Sequence, residues 1–268
     1  MMKNKWRKMA VIFVAIGLVI LTSACTTEPS SEKKSYEKKS YSVAADKVNQ
    51  ISLSTKDRKV EVKESKDNKI HITYFENKKE SYDVNVTDEN ELTMKLVTDK
   101  NWKDYVGLDK DKTHRLIQIA VPSGISSGME IQTSKRDISL SDLKIDGAVV
   151  MTTNGGKIDV TNVKANKNLK LKTKNDDINL KDVNIEDSID ATITEGNIKV
   201  SNVAVGNTLK MRTKNGDITG TVVGSYDVFK ISSEASKGKN NLPKNKKGGD
   251  KALDVVANNG DINLEFAE

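Results

Sequence analysis

The chain has 268 residues, of which 31% are charged and only 4% aromatic, with 44 basic against 38 acidic side chains. Length admits one elongated domain or two compact ones. The scarcity of large rings excludes a core built on aromatic packing, and 16 glycines among many Asn and Asp imply frequent tight turns.

The N-terminus is expected to be an address. Lys3, Lys5, Arg7 and Lys8 form a positive region, and Met9 to Leu21 is an unbroken apolar run. That run falls short of the roughly 20 residues a membrane span needs, and suits the hydrophobic stretch of a secretory signal. It ends in Leu21-Thr22-Ser23-Ala24-Cys25, which resembles the lipobox of bacterial lipoproteins. The resemblance implies removal of residues 1–24, lipidation of Cys25 and anchorage outside the cytoplasm. Thr22 departs from the Leu that such motifs prefer. Cys25 is the only cysteine, so no internal disulfide forms. An ordinary signal peptide or an uncleaved anchor are the alternatives. Removing residues 1–24 leaves 40 basic against 38 acidic residues, a balance that does not support nucleic-acid binding.

Residues 25–42 are polar and lack hydrophobic periodicity, so they are expected to form a flexible tether. Within it Glu-Lys-Lys-Ser-Tyr occurs twice, at 32–36 and 37–41, a duplication that fits simple linker expansion.

Residues 43–128 alternate between apolar and polar, as in Val60/Val62, Ile70/Ile72, Leu92/Met94 and Ile117/Ile119. Alternation by two is the strand period. The segment is either a separate antiparallel domain or a set of irregular early rungs stacked on the C-terminal half. The second is favoured, because no long linker intervenes.

From 129 to 268 the chain repeats every 20 residues. Ile138, Ile158, Ile178, Ile198 and Ile218 define the period. Met129, Val149, Leu169, Ile189 and Leu209 share it, as do Leu143, Val163, Val183, Val203 and Val223. A Thr column runs through Thr133, Thr153, Thr173 and Thr213, and corners such as Asn154-Gly155-Gly156 and Asn215-Gly216-Asp217 separate two strands per repeat. Two short strands cannot bury their own apolar face, but stacked copies can. The expected fold is therefore an all-β, single-chain β-solenoid. Phe229, Ile231 and Ser233 are expected to make the next rung, an insertion at 234–252 interrupts the pattern, and Leu253, Val255 and Ala257 resume it.

Ile119-Ala120-Val121-Pro122 and the Thr-x-x-x-Asp-Ile motifs at 133–138, 173–178 and 213–218 resemble the bacterial "putative adhesin" family, a domain of unknown function. The resemblance spans about residues 43–268. It implies a β-solenoid and carries over no catalytic residues. Some members are envelope lipoproteins or are linked to envelope stress.

Chemistry is sparse. Asp137, Asp177, Asp217 and Asp261 share a column, but Lys157 and Asn197 interrupt it, so turn formation explains it better than catalysis. His71 and His114 lack partners at metal-ligand spacing, the calcium-binding nonapeptide is absent, and no cofactor motif is found. Two binding candidates remain. Trp102 and Tyr105 sit in a polar loop and could stack on a partner, although a loop that folds them back over the open N-terminal core is the simpler account. Lys237, Lys239, Lys244, Lys246 and Lys247 crowd the insertion and could meet anionic headgroups or wall polymers, although a tolerated disordered insertion is the simpler account. The expected function is a non-enzymatic, membrane-anchored lipoprotein that binds envelope proteins or anionic cell-wall polymers, as an adhesin-like or envelope-stress component. A carbohydrate-active enzyme on the same scaffold and a passive spacer are the alternatives.

Overall fold

The computed structural model describes residues 36–100 and 113–268. The chain enters through β1 (Glu37–Ala44), β2 (Gln50–Ser54), β3 (Lys59–Glu64), β4 (Lys69–Glu76), β5 (Glu80–Val86), β6 (Glu91–Thr98) and β7 (Leu116–Val121). The regular repeat comprises β8 (Gly128–Gln132), β9 (Ile138–Ile145), β10 (Val149–Thr152), β11 (Ile158–Ala165), β12 (Leu169–Asn175), β13 (Ile178–Ile185), β14 (Ser188–Glu195), β15 (Ile198–Val205), β16 (Thr208–Asn215) and β17 (Ile218–Val223). Then come β18 (Phe229–Ala235), β19 (Asn245–Lys246), β20 (Lys251–Asn259) and β21 (Ile262–Ala267).

These strands form one ten-stranded and one eleven-stranded sheet, whose inner faces share a single β-solenoid core. In the repeat, odd-numbered strands join the first sheet and even-numbered strands the second. Pairing is parallel and keeps the 20-residue register: Ile158 lies between Ile138 and Ile178, and Leu169 between Val149 and Ile189. Each column is buried along its length. Burying one such aliphatic side chain contributes about 1.5–3 kcal/mol, and stacking extends that gain from rung to rung.

Three local devices shape a rung. Asp142, Asn162, Asp182 and Asn202 all have φ between 53° and 57°. This left-handed conformation suits Asn and Asp among residues with a side chain. It bends the long strand, so that buried positions step by two before it (Ile158, Val160) and by three across it (Val160, Val163). The Thr column is buried, and its hydroxyls donate to main-chain carbonyls of the preceding corner: Thr153 to Arg136 at 3.1 Å and Thr173 to Gly156 at 3.0 Å. At the corners the rungs nearly touch. A Cβ on Gly216, whose φ is +143°, would meet the Gly196 carbonyl oxygen at 2.0 Å.

The ends depart from sequence order. β2 pairs with β8 and β6, and β3 with β9 and β7, all in parallel. Residues 43–128 are thus early rungs of the same stack. Outside them, β4, β1 and β5 add as antiparallel strands. The tether is shorter than expected, because Glu37–Ser42 belong to β1. Tyr41 and Val43 alternate toward the core there, against the edge that β4 leaves open.

At the other end β16 is followed in space by β20, not β18. Phe229, Ile231 and Ser233 therefore form the rung beyond, outside Leu253, Val255 and Ala257. The 234–252 insertion is not a disordered excursion but the C-terminal cap. Asn240 bridges to Ile262, Lys246 pairs with Ile231, and Leu242 is buried. Phe266 packs between Tyr226 and Phe229, with ring centroids 5.4 and 5.6 Å away. One column also shifts. Gly220 lies at a bulge where Val203 pairs with Val222, so Val222 rather than Val223 fills the core.

Candidate functional site

Cys25, Trp102 and Tyr105 lie outside the described residues. The insertion lysines are placed on the cap. Lys237, Lys239, Lys244 and Lys247 are exposed to varying degrees, whereas Lys246 is held. Its ammonium donates to the Phe229 carbonyl at 2.8 Å and lies 4.8 Å from the centre of the Tyr226 ring. Lys246 thus packs over the end of the core.

The Asp column is a corner ladder. Asp137 accepts from the Lys157 amide at 3.0 Å and Asp177 from the Asn197 amide at 2.8 Å. Asp217 accepts from the Asp261 amide, and Asp261 from the Lys239 amide. Each carboxylate binds the main chain of the next layer. Burial pushes the Asp177 carboxyl up, but the Asn197 amide and the Lys199 ammonium together hold it below the usual range. A carboxyl held low in this way is a poor proton donor near neutral pH.

Near the N-terminal end, a polar cluster is built around Glu80 at the start of β5. Arg58, 3% exposed, donates to Glu80 Oε2 at 2.7 Å, Tyr36 donates to the same oxygen at 2.7 Å, and Lys100 also binds it. Burial alone would raise the Glu80 pKa, but the bonds from Lys100, Tyr36 and Arg58 draw it down to about 2. His114 is buried and stacks on Tyr36, with centroids 3.8 Å apart and planes 9° from parallel. Tyr82, pushed up to about 12 by burial, bonds Thr55 at 3.0 Å. The cluster ties the first described residue to β5 and to both flanks of residues 101–112. His71 is unrelated to it, on the other strand face, with Asp67 at 2.8 Å and Ser42 at 2.7 Å.

A groove of about 520 Å³ crosses the outer face of the ten-stranded sheet, over β1, β4, β7 and β3. Strand register places its residues in rows. Thr73, Gln118 and Glu61 are successive neighbours, while Lys38 pairs with Phe75 and Leu116 with Lys59. Arg115 and Arg136 flank the corner, both bound to Asp57, at 3.0 and 2.6 Å. Lys59 reaches Glu61 at 2.8 Å, and this bond, aided by Gln118, holds the Glu61 carboxyl below its usual range. Sequence inspection missed the groove, since its residues come from positions 38 to 137 and share no motif. Among the described residues, no three His, Cys, Asp or Glu side chains are placed to hold a metal ion.

No curated protein matches the chain. Several solved structures are similar in part. A "putative cell adhesion protein" from Clostridium sporogenes is 13% identical, with 87% of this chain and 100% of that one covered and a TM-score of 0.42. A "putative adhesin" from Bacteroides fragilis is 16% identical, covering 87% and 98%, with a TM-score of 0.33. A "putative lipid binding protein" from Parabacteroides distasonis is 14% identical, covering 85% and 96%, with a TM-score of 0.30. The model of the Toastrack DUF4097 family matches residues 48–265, from just before β2 into β21. The chain belongs to the Toastrack DUF4097 family.

Proposed function

We propose that the protein is a non-enzymatic, lipid-anchored docking component on the extracytoplasmic face of the cell membrane, adhesin-like or acting in the response to envelope stress. The observation that carries the non-enzymatic part is the corner ladder. The acidic column of the repeat is committed to main-chain amides, so the long surface offers shape and charge rather than proton transfer. The anchor rests on Cys25 and the apolar run before it. With lipid on Cys25, the 12 residues from there to Glu37 would reach about 40 Å at most, keeping the solenoid close to the bilayer.

Two measurements on intact cells test this. The wild-type chain is expected in the membrane fraction and accessible to added protease, with Cys25→Ala released. Equal membrane association of both forms would overturn the lipid anchor. A carbohydrate-active enzyme is the second possibility, favoured by the gathering of Lys38, Lys59, Arg115, Arg136, Glu61 and Asp137 in one groove. Its weakness is that Glu61 is held below the usual carboxyl range, the opposite of what a general acid needs. Release of new reducing ends from acidic polysaccharides by purified protein would replace the docking role with an enzymatic one.

A further inference from the structure

We propose that the groove over β1, β4, β7 and β3 binds an acidic glycan, a run of sugar rings bearing carboxylates. This rests on the docking role above and names its ligand. Charge comes first. Lys38, Lys59, Arg115 and Arg136 line the groove against Glu61 and Asp137. The acids are already engaged: Glu61 by Lys59 and by Gln118 at 3.2 Å, Asp137 by the Lys157 amide. Asp57, at the corner, is held between two arginines. Two donors remain open. Lys38 has no ion-pair partner among the described residues, and Arg136 uses only its Nε, leaving both terminal amino groups. A basic ligand would find only the second oxygen of Asp137 open, whereas a carboxylate would find the Arg136 fork and the Lys38 ammonium.

Shape narrows the class. The distance from β1 across to β9 covers four strand spacings, about 19 Å, which suits an extended oligomer rather than a single small anion. The half-buried ring of Phe75 and the Leu116 side chain lie beside the Thr73 hydroxyl and the Gln118 amide. An apolar patch next to hydrogen-bonding groups matches a sugar, with its C–H face and its hydroxyl edge. A peptide added as an extra strand is disfavoured, because the groove floor is the face of strands whose main-chain groups are already paired.

The test uses the full-length lipoprotein in non-ionic detergent, titrated with an oligogalacturonide and with its fully methyl-esterified form. The acid form is expected to bind about tenfold more tightly than the ester, and Lys38→Glu to weaken it about tenfold while leaving the unfolding midpoint unchanged. Arg136→Gln should act in the same direction, and its retained amide keeps a donor toward Asp57. Equal binding of acid and ester overturns the proposal. So does full competition by inorganic phosphate, which would mark a bare anion site, or binding only to anionic phospholipid vesicles. Retention of the wild-type protein on isolated cell-wall material separates the two levels of inference. Retention lost in Lys38→Glu with no oligogalacturonide binding overturns the ligand class and leaves docking standing. Absence of both retention and glycan binding overturns both.

Discussion

From β8 to β17 the chain climbs one rung for every 20 residues, and each inner strand pairs with the strands two places before and after it. At either end it does something else. It runs outward, builds the last layer, and returns to fill the layer it skipped. β2 and β3 are followed by the outer β4 and β5, and β6 and β7 then slot between. β16 and β17 are followed by the outer β18, β20 then slots between β18 and β16, and β21 ends the other sheet beside β17, with Asn240 of the insertion bridging to its Ile262. The difference shows how a stack that could grow indefinitely is stopped. Open sheet edges invite further pairing. Here the outermost layers are antiparallel, short or aromatic-capped, and each is fastened by chain that arrives later. The middle is held by repetition, the ends by interlock.

Substitutions can break this contrast, and the largest effect is expected in the middle. Gly216→Val places a branched side chain at φ +143° and against the Gly196 carbonyl, so it should destabilise by about 4 kcal/mol or more in denaturant unfolding. Repetition predicts a global loss, with protection against hydrogen exchange falling on both sides of the corner.

Phe229→Ala tests the C-terminal interlock. Phe229 is fully buried at the last rung, and the cavity should cost about 3–4 kcal/mol. Exchange is expected to accelerate in β18 to β21 while β9 to β13 stay protected. Uniform acceleration would show that the end is no more separable than the middle.

Glu80→Gln tests the N-terminal end and should cost about 3 kcal/mol, because it leaves the Arg58 and Lys100 charges without their carboxylate. The wild type should show a matching pH dependence. The folded Glu80 pKa of about 2 lies below its ordinary value of 4.5. Its contribution is therefore complete above about pH 4.5 and is lost as pH falls toward 2. Exchange in β1, β5 and β6 should rise over that window in the wild type, and the window should flatten in the variant.

The smallest effect is expected on the surface of the middle. Asn162 donates to Asp142 at 2.8 Å across one rung. Asn162→Asp replaces that bond with two like charges and should cost about 0.5–1 kcal/mol, read as a shift in thermal midpoint that shrinks with salt.

Much of the architecture is legible in the residues alone. The isoleucine period sets the register, the alternation sets the strands, and both survive because one buried face repeats the same steric demand at every rung. On the outer face the same period stacks opposite charges: Asp190 lies between Lys170 and Lys210, and pairs with Lys210 at 3.3 Å. The corner role of the Asp column is legible too, since Asn and Gly surround it. The groove is not, because Lys38, Phe75, Gln118 and Arg136 meet only through the out-of-order pairing of β1, β4, β7 and β3.

The sequence by itself determined a stacked all-β architecture with a 20-residue rung, and it favoured early rungs over a separate domain for residues 43–128 without deciding between them. Those properties depend on local alternation and on identical neighbours, both visible one repeat at a time. Only the tertiary structure decided where the chain doubles back: that β20 rather than β18 pairs with β16, that the lysine-rich insertion is a cap, and that the expected tether supplies β1. Several strands of similar pattern compete for the same edge. In the finished stack Phe229 meets Phe266 at one end and Glu80 meets Arg58 at the other, contacts between distant segments that no single repeat contains.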